Sequence, residues 1–176
     1  MDDASRERAS LDRQALRILV APLLVLGLEW AVSASNKILG NFVGQFAGYV
    51  NALAQYGTFL PGLRLILRFP TAAAYGAIGI EAAMAILLIA ASIALWRGIE
   101  HFWVPLAEAT TLVSAIVATM LWLMLGHQPF WPSPASNGGF GPGIGIEFFL
   151  AMLSFALVIS TGLLRRAFLH RPELEV

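Results

Sequence analysis

Apolar residues fill four long stretches of this chain with little interruption, at about 18–37, 71–96, 106–127 and 144–164. A helix rising 1.5 Å per residue needs about 20 mostly apolar residues to cross the hydrocarbon of a bilayer, so each stretch qualifies as a span. The second and fourth are the least interrupted. The first contains Pro22 and Gly27, and the third opens just after Pro105, a residue suited to the start of a helix. The pattern predicts an all-α integral membrane four-helix bundle, with residues 1–176 forming a single membrane domain.

Segment 41–55 has a different rhythm. Phe42, Val43, Phe46, Val50 and Leu53 share one helical face, while Asn41, Gln45, Asn51 and Gln55 lie elsewhere. This predicts an interfacial helix at the outer surface, or a lid packed on the end of the bundle. Gly57, Pro61 and Gly62 end it, and a short helix over 63–69 then leads to Pro70 with Arg64 and Arg68 on one face. The segment 128–143 is rich in Pro and Gly, has no charge and supports no long helix; its aromatics suit the headgroup level.

Composition supports the membrane reading. Apolar residues make up 58% of the chain and charged residues 12%, against roughly 25% charged in an ordinary soluble domain. The 11 Lys and Arg balance the 11 Asp and Glu, so no basic excess exists to neutralise a nucleic-acid backbone. With no cysteine, the chain offers no disulfide, Cys-ligated iron–sulfur cluster or c-type haem attachment. His101, His127 and His170 are widely separated and none lies mid-span, so neither a bis-histidine haem nor a metal site is expected. P-loop, nucleophile-elbow and dinucleotide fingerprints are absent; the Gly-rich stretch at 138–145 precedes a span and follows no strand.

Lysine and arginine set the expected orientation. Eight lie in the N-terminal segment, around Arg97 and in the C-terminal tail, and three, Lys37, Arg64 and Arg68, lie on the other side. Both termini are therefore expected in the cytoplasm, with 38–70 and 128–143 outside. Val32-Ser33-Ala34 has the small-residue look of a signal cleavage site, but Glu29 interrupts the apolar run and the preceding tail balances four acids with four bases, unlike a signal peptide. Trp96, Trp103 and Trp131 fit aromatic belts, and Arg97, Arg165 and Arg166 anchor helix ends.

Each span carries one glutamate and no other acid: Glu29, Glu81, Glu108 and Glu147. Intramembrane charge costs about 2.5–3.5 kcal/mol on insertion scales and marks a bundle interior or a pathway. Glu108 and Glu147 fall in first turns, where the helix dipole and free amides favour a carboxylate. Glu29 and Glu81 have no such support and both lie roughly 12–15 Å below the outer ends of their spans. If they face each other, they form a proton-sharing pair. Ser33 and Asn36 extend the Glu29 face upward. Lys37 beside them is either a cation snorkelling at a helix C-terminus or a buried counter-ion to Glu29 or Glu81. Gly76, Gly79, Ala82 and Ala83 form a small-residue face around Glu81 that would let a neighbouring helix approach closely. Trp30 lines a cleft or packs, and His127, ending the third span, donates to a carbonyl or is a plain interfacial histidine.

The first two spans resemble the DoxX/DoxD family of small four-helix membrane proteins. The likeness rests on Arg13 or Arg17 before span one, Gly27 within it, Lys37 at its outer end, the long outer segment, and Gly79-Ile80-Glu81 followed by small residues. It implies a four-helix bundle, and DoxD-type relatives serve as the membrane subunit of thiosulfate:quinone oxidoreductase. A quinone site needs an apolar cleft, polar groups at the carbonyl oxygens and a proton source. Under that reading Glu29, Glu81 and Lys37 are the catalytic candidates, and His127, Trp30 and Asn36 the quinone-binding ones. No electron carrier is encoded in the chain, so other protein subunits of a membrane complex are the expected partners. The competing readings are an accessory or assembly subunit without chemistry of its own and a small proton-coupled carrier.

Overall fold

The computed structural model describes residues 3–55, 60–124 and 146–169, with side chains described over 14–48, 50–51, 62–121 and 148–166. Six helices account for nearly all of it: α1 (Asp3–Leu39), α2 (Phe42–Gln55), α3 (Leu60–Ile66), α4 (Pro70–Trp96), α5 (Trp103–Met124) and α6 (Ile146–Leu169). No strand occurs among the described residues. The chain is a multi-pass helical membrane bundle: α1, α4, α5 and α6 are each long and apolar enough to cross a bilayer. The four predicted spans correspond to them, although α1 starts far upstream of residue 18. A polar tail outside the hydrocarbon can continue a helix that the membrane stabilises.

Apolar residues lie both inside and outside the bundle. Ile18, Ile86, Ile93, Ile116 and Ile159 are exposed, as lipid solvates isoleucine well, while Ser92, Thr110, Thr111, Ser114, Ser154, Thr161 and Glu81 are buried beside the leucine-rich core. Small and polar residues thus join the leucines in the helix contacts. Hydroxyls that find no partner across the bundle turn back onto their own helix, as Ser92 does to the Leu88 carbonyl and Thr161 to that of Leu157.

A seam of alternating three- and four-residue steps joins the helices. On α1 it comprises Leu16, Leu19, Leu23, Leu26 and Trp30, all buried, and the same stepping continues to Ser33 and Lys37. On α4 it runs through Ala74, Glu81, Met84, Leu88, Ala91 and Leu95. This spacing keeps one stripe facing the neighbour along the whole length of a helix pair. Contacts of Arg17 with Trp96 and Lys37 with Glu81 show that the two helices run antiparallel, as do α5 and α6, joined at Glu108–Arg165 and Ser114–Ser154. α4 also packs on α5, and α1 on α6.

Close approach of α1 and α4 is set by Gly27, not by the glycines of α4. A Cβ at Gly27 would lie 2.9 Å from Ile89 Cγ1 and 3.1 Å from Leu88 Cβ, while one at Gly76 or Gly79 would meet nothing within 4 Å. The expected packing role of the Gly76–Gly79 face is thus corrected: that stripe looks away from the helix contact, because the seam places Glu81 inward and leaves Gly76 and Gly79 exposed.

At its C-terminal end α1 turns through Gly40 and Asn41, the latter at φ 54°, a left-handed conformation that asparagine tolerates. α2 then lays Phe46 and Val50 on Leu63 of α3 and Ala74 of α4, the lid arrangement among the two expected. α3 begins three residues earlier than the predicted 63–69 helix and ends at Ile66, so Arg68 lies in the following turn and does not share a helical face with Arg64. Pro70 forces that break and opens α4 at its first turn. At its C-terminal end α4 closes with Gly98 at φ 77°, its N–H bonded to the Leu95 carbonyl and that of Ile99 to Ala94, a Schellman motif.

Gly27→Leu is expected to force α1 off α4 and to lower stability in detergent by about 1–3 kcal/mol. Gly79→Ala, in open space, should change it by less than about 0.5 kcal/mol. Denaturant titration followed by circular dichroism distinguishes the two.

Candidate functional site

The seam turns polar toward the C-terminal end of α1, and the candidate site forms there. Leu26 and Trp30 give way to Ser33 and Lys37 on α1, directly opposite Glu81 on α4. Glu81 is only 1% exposed. Lys37 Nζ lies 2.6 Å from both Glu81 oxygens and donates to Ser33 Oγ at 2.8 Å, while Ser33 Oγ donates to Glu81 Oε2 at 3.0 Å. The three groups close a ring in which both carboxylate oxygens are satisfied. The ammonium also sits 5.5 Å from the centre of the Phe42 ring, within cation–π range.

Lys37 is therefore the buried counter-ion of Glu81, not a cation snorkelling at a helix end. The conditional Glu29–Glu81 pair is replaced by Lys37–Glu81. The reason is the register: Glu29 precedes Trp30 by one residue and so falls off the seam, whereas Lys37 falls on it. Glu29 is half-buried and lines the same cavity.

That cavity has a volume of about 830 Å³, in the upper part of the range for small-molecule sites. Its polar wall comes from α1 (Glu29, Ser33, Asn36, Lys37), α4 (Glu81) and α2 (Gln45). The facing wall is apolar, with Ile116, Val117, Met120 and Leu121 of α5 and Leu150 of α6. Phe42, Phe46 and Val50 of α2 roof it. Gln45 enters from the polar side of α2, where its position off the apolar face was the only sequence signal.

Trp30 both packs and lines the cleft, the two alternatives expected of it. It borders the cavity but is 1% exposed, and its indole N–H donates to Ser114 Oγ at 2.8 Å. Ser114 in turn bonds Ser154 Oγ at 2.8 Å. This relay across α1, α5 and α6 was not foreseen, since a serine in a span is unremarkable until its neighbour is known. With its donor committed, Trp30 contributes ring surface to the site.

Asn36 is exposed at the cavity rim. His127 and Trp131 lie outside the described residues, as does the side chain of Glu147. Glu108, expected as a first-turn acid, does more: its Oε2 is 2.9 Å from Arg165 Nε, off the hydrogen-bond axis, tying the start of α5 to the end of α6. Arg165 is thus an ion-pair partner rather than only a helix anchor. A Cβ on Gly162 would stand 3.3 Å from Glu108 Oε1, so glycine makes room for the carboxylate there.

No family model, curated protein or solved structure matches the chain. The site must be read from its own chemistry. Among the described residues no group of three or more His, Cys, Asp or Glu side chains gathers as a metal cage would require. What the arrangement offers is a largely apolar chamber with one fixed ion pair and one further carboxyl in its wall.

The ion pair sets a thermodynamic test. Removing one partner of a buried pair typically costs about 3–5 kcal/mol because the other charge is stranded. Lys37 keeps 20% of its side chain exposed against 2% for Glu81, which moves Glu81→Leu toward the lower end. Lys37→Met, which strands the deeper group, should be the costlier single change. The double variant Lys37→Met, Glu81→Leu should recover most of the loss, measured as a double-mutant cycle in detergent; additive losses would show that the two side chains do not interact.

Proposed function

We propose that the chain is a DoxX/DoxD-like, quinone-interacting subunit of a redox complex, seated in the cytoplasmic membrane with both termini in the cytoplasm. The observation that carries the reading is the two-sided cavity: an apolar wall from α5 and α6 faces a wall bearing Lys37, Glu81, Ser33 and Glu29. A quinone has the matching division, an isoprenoid chain and a ring with two carbonyl oxygens.

An ammonium has three donors. Lys37 meets Ser33 and both oxygens of Glu81, and when a single N–H is shared between the two carboxylate oxygens another turns to a carbonyl oxygen in the cavity. Glu81 and Ser33 fix that donor in place, so they act as positioning residues. Glu29, half-buried in the same wall, is the group suited to exchange a proton with a reduced ring. A bound quinone would supply two-electron, two-proton redox chemistry, and the electrons would come from a partner subunit. Because Glu81 is neutralised within the chain, these residues do not need a partner's arginine, which favours this reading over a purely assembling role. The positive-inside bias supports the orientation.

The test is binding of decylubiquinone to the protein in uncharged lipid nanodiscs, read by quenching of tryptophan fluorescence at Trp30 beside the cavity. Saturable quenching is expected, weakened at least about tenfold in Lys37→Met and largely retained in Lys37→Arg, with circular dichroism confirming the fold of both. Linear, non-saturating quenching, identical in all three proteins, would mean simple partitioning into lipid and would overturn the proposal.

A further inference from the structure

At the other end of the α1–α4 pair, the seam closes over a second recess of about 330 Å³. Leu16 and Leu95, both buried, form its floor. Arg17, Trp96, Arg97, Gly98 and Glu100 form its walls. Arg17 and Trp96 are the last polar and aromatic residues before the apolar runs of α1 and α4, so the recess lies at headgroup depth on the face that carries the termini.

The charge here is not balanced within the described residues. Arg17 carries its guanidinium carbon 6.0 Å from the centre of the Trp96 ring, a stacking contact that orients it without neutralising it. Arg97 is exposed. Glu100 shares the recess, yet no ion pair within 4 Å joins it to either arginine. Nor are these guanidiniums needed to cap α4: backbone N–H groups already occupy the carbonyls of Ile93, Ala94 and Leu95. Among the described residues, two cations and one acid around one hollow leave a net positive site, with a flat aromatic wall and an apolar floor.

We propose that this recess binds a phosphate oxyanion, and that the ligand is the headgroup of an anionic phospholipid. Guanidinium matches phosphate oxygens through paired N–H donors. Basic pockets between membrane helices at the headgroup level are suited to acidic lipids. The apolar floor meets the first carbons of the glycerol and acyl region, and Trp96, 66% exposed, lies against the lipid boundary. A free phosphate would use the same donors but gain nothing from the floor or the tryptophan. The site is independent of the Lys37–Glu81 cavity and of any reading of its function.

Native mass spectrometry of the protein released from nanodiscs of mixed phosphatidylglycerol and phosphatidylcholine reads the retained lipid directly. The wild type is expected to keep phosphatidylglycerol preferentially. The double variant Arg17→Gln, Arg97→Gln should lose that preference by at least about tenfold, and Arg17→Lys, Arg97→Lys should keep a part of it. Arg64→Gln, Arg68→Gln, at the opposite end, should leave it unchanged. In discs of phosphatidylcholine alone, inorganic phosphate that raises the melting temperature of the wild type but not of the Gln double variant, without any lipid preference, would support the oxyanion site and reassign its ligand to a soluble phosphate. Equal phosphatidylglycerol retention by the wild type and a folded Gln double variant, with no phosphate effect, would overturn it.

Discussion

An ionised carboxylate buried inside a bilayer is costly unless a cation meets it, and this constraint organises the α1–α4 pair. Glu81 occupies a seam position of α4 where an apolar residue would otherwise sit, and Lys37 occupies the matching position of α1. Their contact at 2.6 Å fixes which turn of one helix lies beside which turn of the other. A slip of either helix by one turn would separate the charges in low dielectric, where the loss is large. The pair therefore specifies the α1–α4 register in the way a polar residue in a coiled-coil seam specifies alignment. The same pair contributes to the polar wall of the cavity, so alignment and site chemistry share the same two side chains.

The rest of the bundle is held by features equally suited to lipid. Gly27 brings α1 against Leu88 and Ile89, the Trp30–Ser114–Ser154 relay ties α1 to α5 and α6, and Glu108–Arg165 joins the start of α5 to the end of α6. Hydrophobic attraction between helices is weak where the solvent is itself hydrocarbon, so close backbone approach and hydrogen bonds take its place. Trp30 serves two regions at once: its N–H locks the bundle and its ring borders the chamber above.

Much of this was legible in the sequence. The four spans followed from hydropathy alone, and Glu81 and Lys37 were conspicuous because ionisable residues are so rare in those stretches. Their partnership stood among the alternatives, with Lys37 countering Glu29 or Glu81, but the choice was not legible, since it joins positions 44 residues apart and depends on which face of α1 meets α4. Glu29 illustrates the difficulty: depth along the helix pointed to it as the partner of Glu81, but depth is silent about rotation, and one residue of offset turns it off the seam. Gly76 and Gly79 misled for the same reason. A glycine-rich stripe can mark a helix contact, yet here the single Gly27 provides it. The N-terminal extension of α1 was missed because hydropathy detects membrane-spanning segments and not helicity beyond them.

The turn at Gly40 and Asn41 has a mechanical implication. Only two residues separate the end of α1 from Phe42 at the start of α2, and the Phe42 ring faces the Lys37 ammonium. The roof of the chamber is thereby geared to its charge: any displacement of α2 relative to α1 would part the Phe42 ring from the cation.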